Sequence, residues 1–201
     1  MSALFDHLKL LFDQGHGTEL PGLRTDAAFA PPGEVRPAAV LIAVTDRAEP
    51  GVLLTHRPHD MRQHAGQVAF PGGKLDPGED AVEAALREAH EELAIESGHV
   101  RVIGASDRFI TGTGYDITPV LGLVPPDLPL FPNPVEVADW FEAPLSFLFD
   151  PANQIEKEAT YGGHLRRYIE IDWQGHRIWG VTAAIIANLS QRMAWRGLTR
   201  G

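Results

Sequence analysis

The sequence predicts an α/β fold, and three observations carry that expectation. Apolar runs of strand length recur at Ala38–Val44 (AAVLIAV), Gly51–Thr55 (GVLLT), Val100–Gly104 and Ile117–Val124. Segments with apolar residues at three- and four-residue spacing stand at the N-terminus, in the middle and at the C-terminus, and read as helices. The chain has 201 residues, 44% of them hydrophobic, enough for one domain with a substantial core. We therefore expect a single domain over 1–201, with an N-terminal helix and irregular connection in 1–37 and the core in 38–201.

In MSALFDHLKLLFDQG, Leu4, Phe5, Leu8, Leu11 and Phe12 form one helical face. The segment is too polar for a membrane span and lacks the basic and apolar regions of a signal peptide. Scattered Gly and Pro make 15–37 irregular. The run Ala38–Val44 suits a strand buried on both faces, and Gly51–Thr55 its neighbour across a turn at Arg47–Pro50. A polar stretch rich in cations and imidazoles, His56 to Gln67, leads to the apolar Val68-Ala69-Phe70 and an expected Gly72-Gly73 turn.

The next helix is the most strongly marked element. Val82, Ala85, Leu86, Ala89 and Leu93 give its apolar face, and Asp76, Pro77 and Glu79 fit an N-cap, a first helical position and a capping-box glutamate. Glu88, Glu91 and Glu92 stand at i, i+3 and i+4, so three carboxylates crowd one turn and would repel each other unpaired. As a solvated face such a cluster is ordinary. Beyond a strand and a glycine turn, hard oxygen ligands at that density suit Mg²⁺ or Mn²⁺.

After this helix, Thr111-Gly112-Thr113-Gly114-Tyr115 reads as a loop between strands. Pro125–Pro134 is a proline-rich connection that either supports a second copy of the chain in a homodimer or spans the surface. Leu145–Leu148 suggests a short helix, Leu165–Asp172 and Arg177–Trp179 a hairpin turning at Gln174-Gly175, and Thr182–Trp195 the last helix.

Charge and composition exclude several classes. Lys and Arg number 17 against 27 Asp and Glu, a formal charge of −10, which argues against non-specific binding to nucleic acid or an anionic membrane. A phosphate-bearing substrate would depend on local arginines and metal. Cys is absent, so there is no disulfide scaffold or thiol nucleophile, which fits a cytoplasmic location.

Gly73, Glu79, then Arg87-Glu88-Ala89-His90-Glu91-Glu92-Leu93-Ala94-Ile95 resembles the Nudix box, G-x5-E-x7-R-E-U-x-E-E-x-G-U with U aliphatic. Every charged position matches; the late glycine is replaced by Ala94. The resemblance implies an α/β/α sandwich with a central mixed β-sheet, and metal-dependent hydrolysis of a diphosphate linked to another moiety. Glu88 and Glu92 are then the first choice for metal ligands, Glu91 a ligand or the general base, and the Gly73 carbonyl a further oxygen ligand. Arg87 belongs to the same catalytic motif and is expected to hold Glu79 and its loop in place. At Ala94 a left-handed residue would be strained, so a different helix ending is expected, with Ser97-Gly98 supplying the turn.

The segment Leu53 to Gly73, LLTHRPHDMRQHAGQVAFPGG, is similar to the stretch before the box in the coenzyme A diphosphatase subfamily, L-L-x-x-R-S-x-x-L-R-x-H-x-G-Q-x-x-F-P-G-G. Arg57, Arg62, His64 and Gln67 match and are the candidate substrate-binding residues, while Pro58 replaces a serine. Val135 to Leu145 and Ile178 to Ala183 resemble further subfamily segments, and Glu136 is either a surface acid or an additional carboxylate near the metals. The resemblance implies coenzyme A or a derivative as substrate. ADP-ribose or a dinucleotide is the alternative, and a catalytically silent nucleotide- or protein-binding module a third.

Overall fold

The computed structural model describes residues 2–33, 35–58, 65–161 and 164–194. Its centre is β1 (Arg36–Thr45) and β7 (Tyr115–Val124), which run parallel in unbroken register from Arg36 opposite Tyr115 to Thr45 opposite Val124. Between them in the chain come β2 (Gly51–His56), β3 (Val68–Ala69), β4 (Gly72–Lys74), helix α2 (Ala81–Leu93), β5 (Arg101–Ala105) and β6 (Phe109–Ile110). The core of the sheet runs β3-β2-β1-β7-β5, with β4 on β1, β6 on β7 and β8 (Asp139–Pro144) on β2. Apart from the β1–β7 pair, these ladders are antiparallel, so the sheet is mixed as expected.

The apolar run in β1 is buried on both sides because its residues alternate between two cores. Ala39, Leu41 and Ala43 pack with Leu53 and with Ala84, Ala85, Ala89 and Leu93 of α2. Ile42 and Val44 face the larger core on the opposite side. There they meet helices α1 (Ala3–His16) and α4 (Val181–Met193), with α3 (Leu145–Phe149) alongside. A second sheet of β9 (Ile155–Tyr161), β10 (His164–Trp173) and β11 (His176–Trp179) adds Ile169, Ile171 and Ile178 to that core. The result is an α/β/α sandwich. The hairpin turn falls at Gln174 (φ 52°) and Gly175 (φ 86°), two positive values that suit a tight two-residue connection.

Three local expectations are corrected. Gly72-Gly73 is strand rather than turn: β2 pairs with β1 only at Val44–Val52, and the freed edge of β1 takes Gly72 opposite Val40 and Gly73 opposite Ala39. Helix α2 starts at Asp80, not Asp76. Glu79 does reach back to the Asp76 amide (2.8 Å), but Gly78 at φ 94° interrupts the chain. The working capping box is Asp80, accepting from Val82 and Glu83, with Glu83 returning to the Asp80 amide at 2.9 Å.

The third correction is at the other end of α2. Ala94 is itself the left-handed residue, at φ 57° and ψ 33°, where a Ser97-Gly98 ending was expected. Its amide donates to His90 O (2.9 Å) and the Ile95 amide to Ala89 O (3.3 Å), the paired bonds of a Schellman ending. Ile95 and Leu93, both fully buried, hold the chain in that path, so packing imposes a conformation that alanine disfavours.

Candidate active site

The short strand β4 and helix α2 form one unit. A Cβ on Gly73 would lie 2.2 Å from Glu88 Oε1, so only glycine lets the strand pass this close to the carboxylate. Arg87 fastens the intervening loop. Its Nε and an Nη donate to the two oxygens of Glu79 at 2.7 and 3.0 Å, and the same Nη reaches Lys74 O at 2.9 Å. The other Nη contacts Glu88 at 2.9 Å and Glu91 at 3.2 Å. These bonds hold the Glu79 carboxyl below its usual range. Arg87 is thus engaged within the loop.

Glu88, Glu92 and Glu136 come together, each offering a carboxylate oxygen within 4.8 Å of the others. Glu136 arrives from far along the chain because its segment is hung on the open end of α2. The Phe131 amide donates to Leu93 O (3.1 Å) and the Asn133 amide to Glu92 O (2.9 Å), satisfying carbonyls that the helix leaves without internal partners. Asn133 then organises the next turn: its Oδ1 accepts from the Val135 amide, its carbonyl from the amides of Glu136 and Val137, and its Nδ2 donates to Glu136 Oε1 at 3.3 Å.

The electrostatics of the trio are those of crowded, desolvated acids. Glu92 is only 6% exposed, and burial pushes its carboxyl up to about 8. The Arg57 charge opposes the shift, Glu88 and Glu136 add to it, and the Gly72 amide offsets part of it. Burial raises Glu88 too, against the pull of Arg87 and with the push of Glu91 and Glu136. Such a group is unfavourable as three bare anions and is relieved by a hard cation. The donor set therefore fits a divalent ion, with all-oxygen ligands of the kind magnesium and manganese take.

The remaining predicted residues are distributed around this centre. Glu91 lies outside the trio, about half exposed, with its carboxylate on Arg87. Arg57 follows the last residue of β2; its amide donates to Gln67 O (3.0 Å) and its carbonyl accepts from Gly66 (3.1 Å), so these two contacts close the base of the loop between them. The Arg57 Nε is buried without a hydrogen-bond partner among the described residues. Arg62 and His64 lie outside the described residues.

Residues 35–160 match the family model described as the NUDIX domain, which is more than half of the chain. The chain belongs to the Nudix family. It is 42% identical over 161 residues to proteins named "Uncharacterized Nudix hydrolase NudL" from Yersinia pestis (strain Pestoides F) and Yersinia pseudotuberculosis (serotype O:1b, strain IP 31758), covering 79% of this chain and 80% of theirs. Among solved structures it is similar to a C. elegans Ap4A hydrolase in a binary complex (TM-score 0.48, 23% identity, 56% of this chain and 82% of that one). Another is the Nudix hydrolase RenU from M. smegmatis (TM-score 0.48, 26% identity, 57% and 73%). The family assignment rests on the domain match and the Yersinia relatives.

As a Nudix hydrolase the protein cleaves a nucleoside diphosphate derivative, and hydrolases of this family generally need divalent ions. One residue that builds the acidic centre has no place in the sequence reading: Asn133, which seats Glu136, falls in the proline-rich connection, although Asn-Pro is a turn signal. Thr182, at the start of α4 and inside the Ile178–Ala183 segment, donates to Val68 O at 2.9 Å and ties the strand before the box to the opposite layer. No helix among the described residues is long and apolar enough to cross a membrane.

Proposed function

We propose that this Nudix hydrolase acts on coenzyme A or a derivative, cutting its diphosphate to give 4′-phosphopantetheine and adenosine 3′,5′-bisphosphate. The observation that carries the reading is the position of Arg57 near the acidic centre: its charge lowers the Glu92 carboxyl, and it lies within the segment, Leu53 to Gly73, that resembles the coenzyme A diphosphatases. Glu88, Glu92 and Glu136 would hold the divalent ion, with the Gly73 carbonyl as a further oxygen. When bound, Mg²⁺ or Mn²⁺ neutralises phosphate oxygens and lowers the pKa of the attacking water.

The chain's own groups do the rest. Glu91, outside the trio and open to solvent, accepts the proton of the water. Arg87 keeps Glu79, Lys74 and the β4 strand in register with Glu88. Arg57 and Arg62 are assigned to phosphate, which they pair with through charge-assisted hydrogen bonds, and His64 and Gln67 are assigned to substrate binding by the same resemblance. A silent binding module has no use for two acids crowded around a buried third, which speaks against that alternative.

Coenzyme A carries a 3′-phosphate that dephospho-coenzyme A and ADP-ribose lack. Each charge-assisted contact is worth roughly 1.5–3 kcal/mol, or about ten- to a hundredfold in specificity. We expect kcat/KM for coenzyme A to exceed that for the other two by at least ~10-fold, and Arg62→Ala to narrow the gap more than it slows the dephosphorylated substrate. Equal efficiency on coenzyme A and ADP-ribose would remove the subfamily reading and leave a Nudix hydrolase of another nucleoside diphosphate derivative. An unchanged ratio in Arg62→Ala would remove only that arginine's role.

A further inference from the structure

A cleft of about 300 Å³ opens on the α2 face of the sheet, at the Thr45 end of β1. Its walls mix apolar and charged side chains: Leu53 from β2, Trp140 from β8, and Asp127, Leu128 and Leu130 from the connection that follows β7. One end is polar. Arg47 donates to the carbonyl of Pro126 and lies 3.1 Å from Glu142 Oε1, bridging the connection to β8. Thr45 Oγ1, in a buried residue, donates to the same Oε1 at 2.5 Å. An ionised carboxylate accepts on both oxygens, and these bonds all use Oε1, so Oε2 remains for a ligand's donor.

We infer that this cleft binds the nucleobase of the substrate, an amino-bearing planar ring held against Trp140 with its exocyclic N–H directed to Glu142. The inference rests on the nucleotide reading above. A cleft with an indole on one wall and a carboxylate oxygen open for a donor suits a heteroaromatic ring with an amino edge better than a flexible acyl chain. Its position fits as well. Glu136 and Trp140 belong to one stretch of chain that spans at most ~14 Å, and the same connection that lines the cleft is hung on α2 through Phe131 and Asn133. In the strand register Trp140 stands opposite Thr55, on the β2 residue two before Arg57. Base, phosphate-binding arginine and acidic centre thus follow one face of the sheet.

Binding of adenosine 5′-monophosphate, in the absence of metal, tests the cleft apart from catalysis. Saturation-transfer NMR should show the adenine ring protons in contact with the full chain, with inosine 5′-monophosphate at least ~5-fold weaker because it lacks the amino donor. Trp140→Ala should abolish the signal. Leu128→Trp, which fills the slot without removing a core side chain, should abolish it too and raise KM for the hydrolysed diphosphate at least ~10-fold while kcat stays within about threefold. Circular dichroism and melting curves establish that both variants are folded. Undiminished adenosine monophosphate binding in a folded Leu128→Trp protein, or equal binding of the two nucleotides, overturns the assignment. Absence of diphosphate hydrolysis by the unmodified protein, with nucleotide binding that still depends on Leu128 and Trp140, would overturn the proposed reaction and keep the cleft.

Discussion

Glu92 concentrates the conflict between stability and chemistry in this protein. Its carboxyl is raised to about 8 from an ordinary 4.5, mainly by burial. A folded-state pKa above the unfolded one means that the native chain prefers the protonated form. The stability this gives is fully present below about pH 4.5 and is lost as pH rises toward 8. A shift of this size corresponds to on the order of 3–5 kcal/mol, a large share of a domain's total stability. Glu88, raised in the same sense, adds to the loss. Asp107, lowered by its bonds to Arg192, acts in the opposite sense, but only where pH falls below the usual carboxylate range. With chelator present, we expect the melting temperature of the unmodified protein to drop by roughly 5–15 °C relative to Glu92→Gln between pH 4.5 and 8. Parallel melting curves across that window would exclude a buried, titrating Glu92. The same substitution should cut turnover at least ~100-fold at saturating Mg²⁺, because the gain in stability comes from deleting a proposed metal ligand.

At the scale of elements, the end of α2 gives a second test. Ala94 is held left-handed by the burial of its neighbours Leu93 and Ile95, at a cost of roughly 1–2 kcal/mol that glycine would not bear. Against this stands the extra backbone entropy of glycine in the unfolded chain, about 0.4–1 kcal/mol. The balance favours Ala94→Gly, and we expect its melting temperature to rise by about 1–4 °C; a fall would mean that the ending is less strained than its dihedral angles imply. The sequence pointed the other way here because an alanine at that position argues for continued helix, and only the packing of Ile95 overrules it. The same limit applies at β4, whose two glycines look like a turn until the edge of β1 is seen to be free for them. By contrast, β1, β2, β5, β7 and all the helices of eight or more residues were legible from apolar periodicity, and the β10–β11 turn from Gln174-Gly175. Strand β9, Ile-Glu-Lys-Glu-Ala-Thr-Tyr, is exposed along its Ile155–Thr160 stretch and carries no apolar alternation to reveal it.

For the whole molecule, the central fact is that one acidic centre is assembled from segments far apart in the chain. The box supplies Glu88 and Glu92 in adjacent turns of one helix, which spacing alone foretells. Glu136 could be suspected only by resemblance, since its approach depends on Asn133 and Phe131 finding the open carbonyls of α2. Arg57 is brought to the same place by β2 leaving β1 and handing its edge to β4. Because the chain carries a formal charge of −10, the proposed reaction calls for both a local arginine and divalent ions to bring a nucleoside diphosphate derivative to this acidic centre. The most direct test is the anomalous diffraction of crystals soaked in Mn²⁺. The account predicts a manganese peak coordinated by carboxylate oxygens of Glu88, Glu92 and Glu136 together, and loss of the Glu136 contact with weaker occupancy in Glu136→Gln. A manganese ion held instead by Glu91 and Glu88, with Glu136 turned away and its substitution without effect, would contradict it.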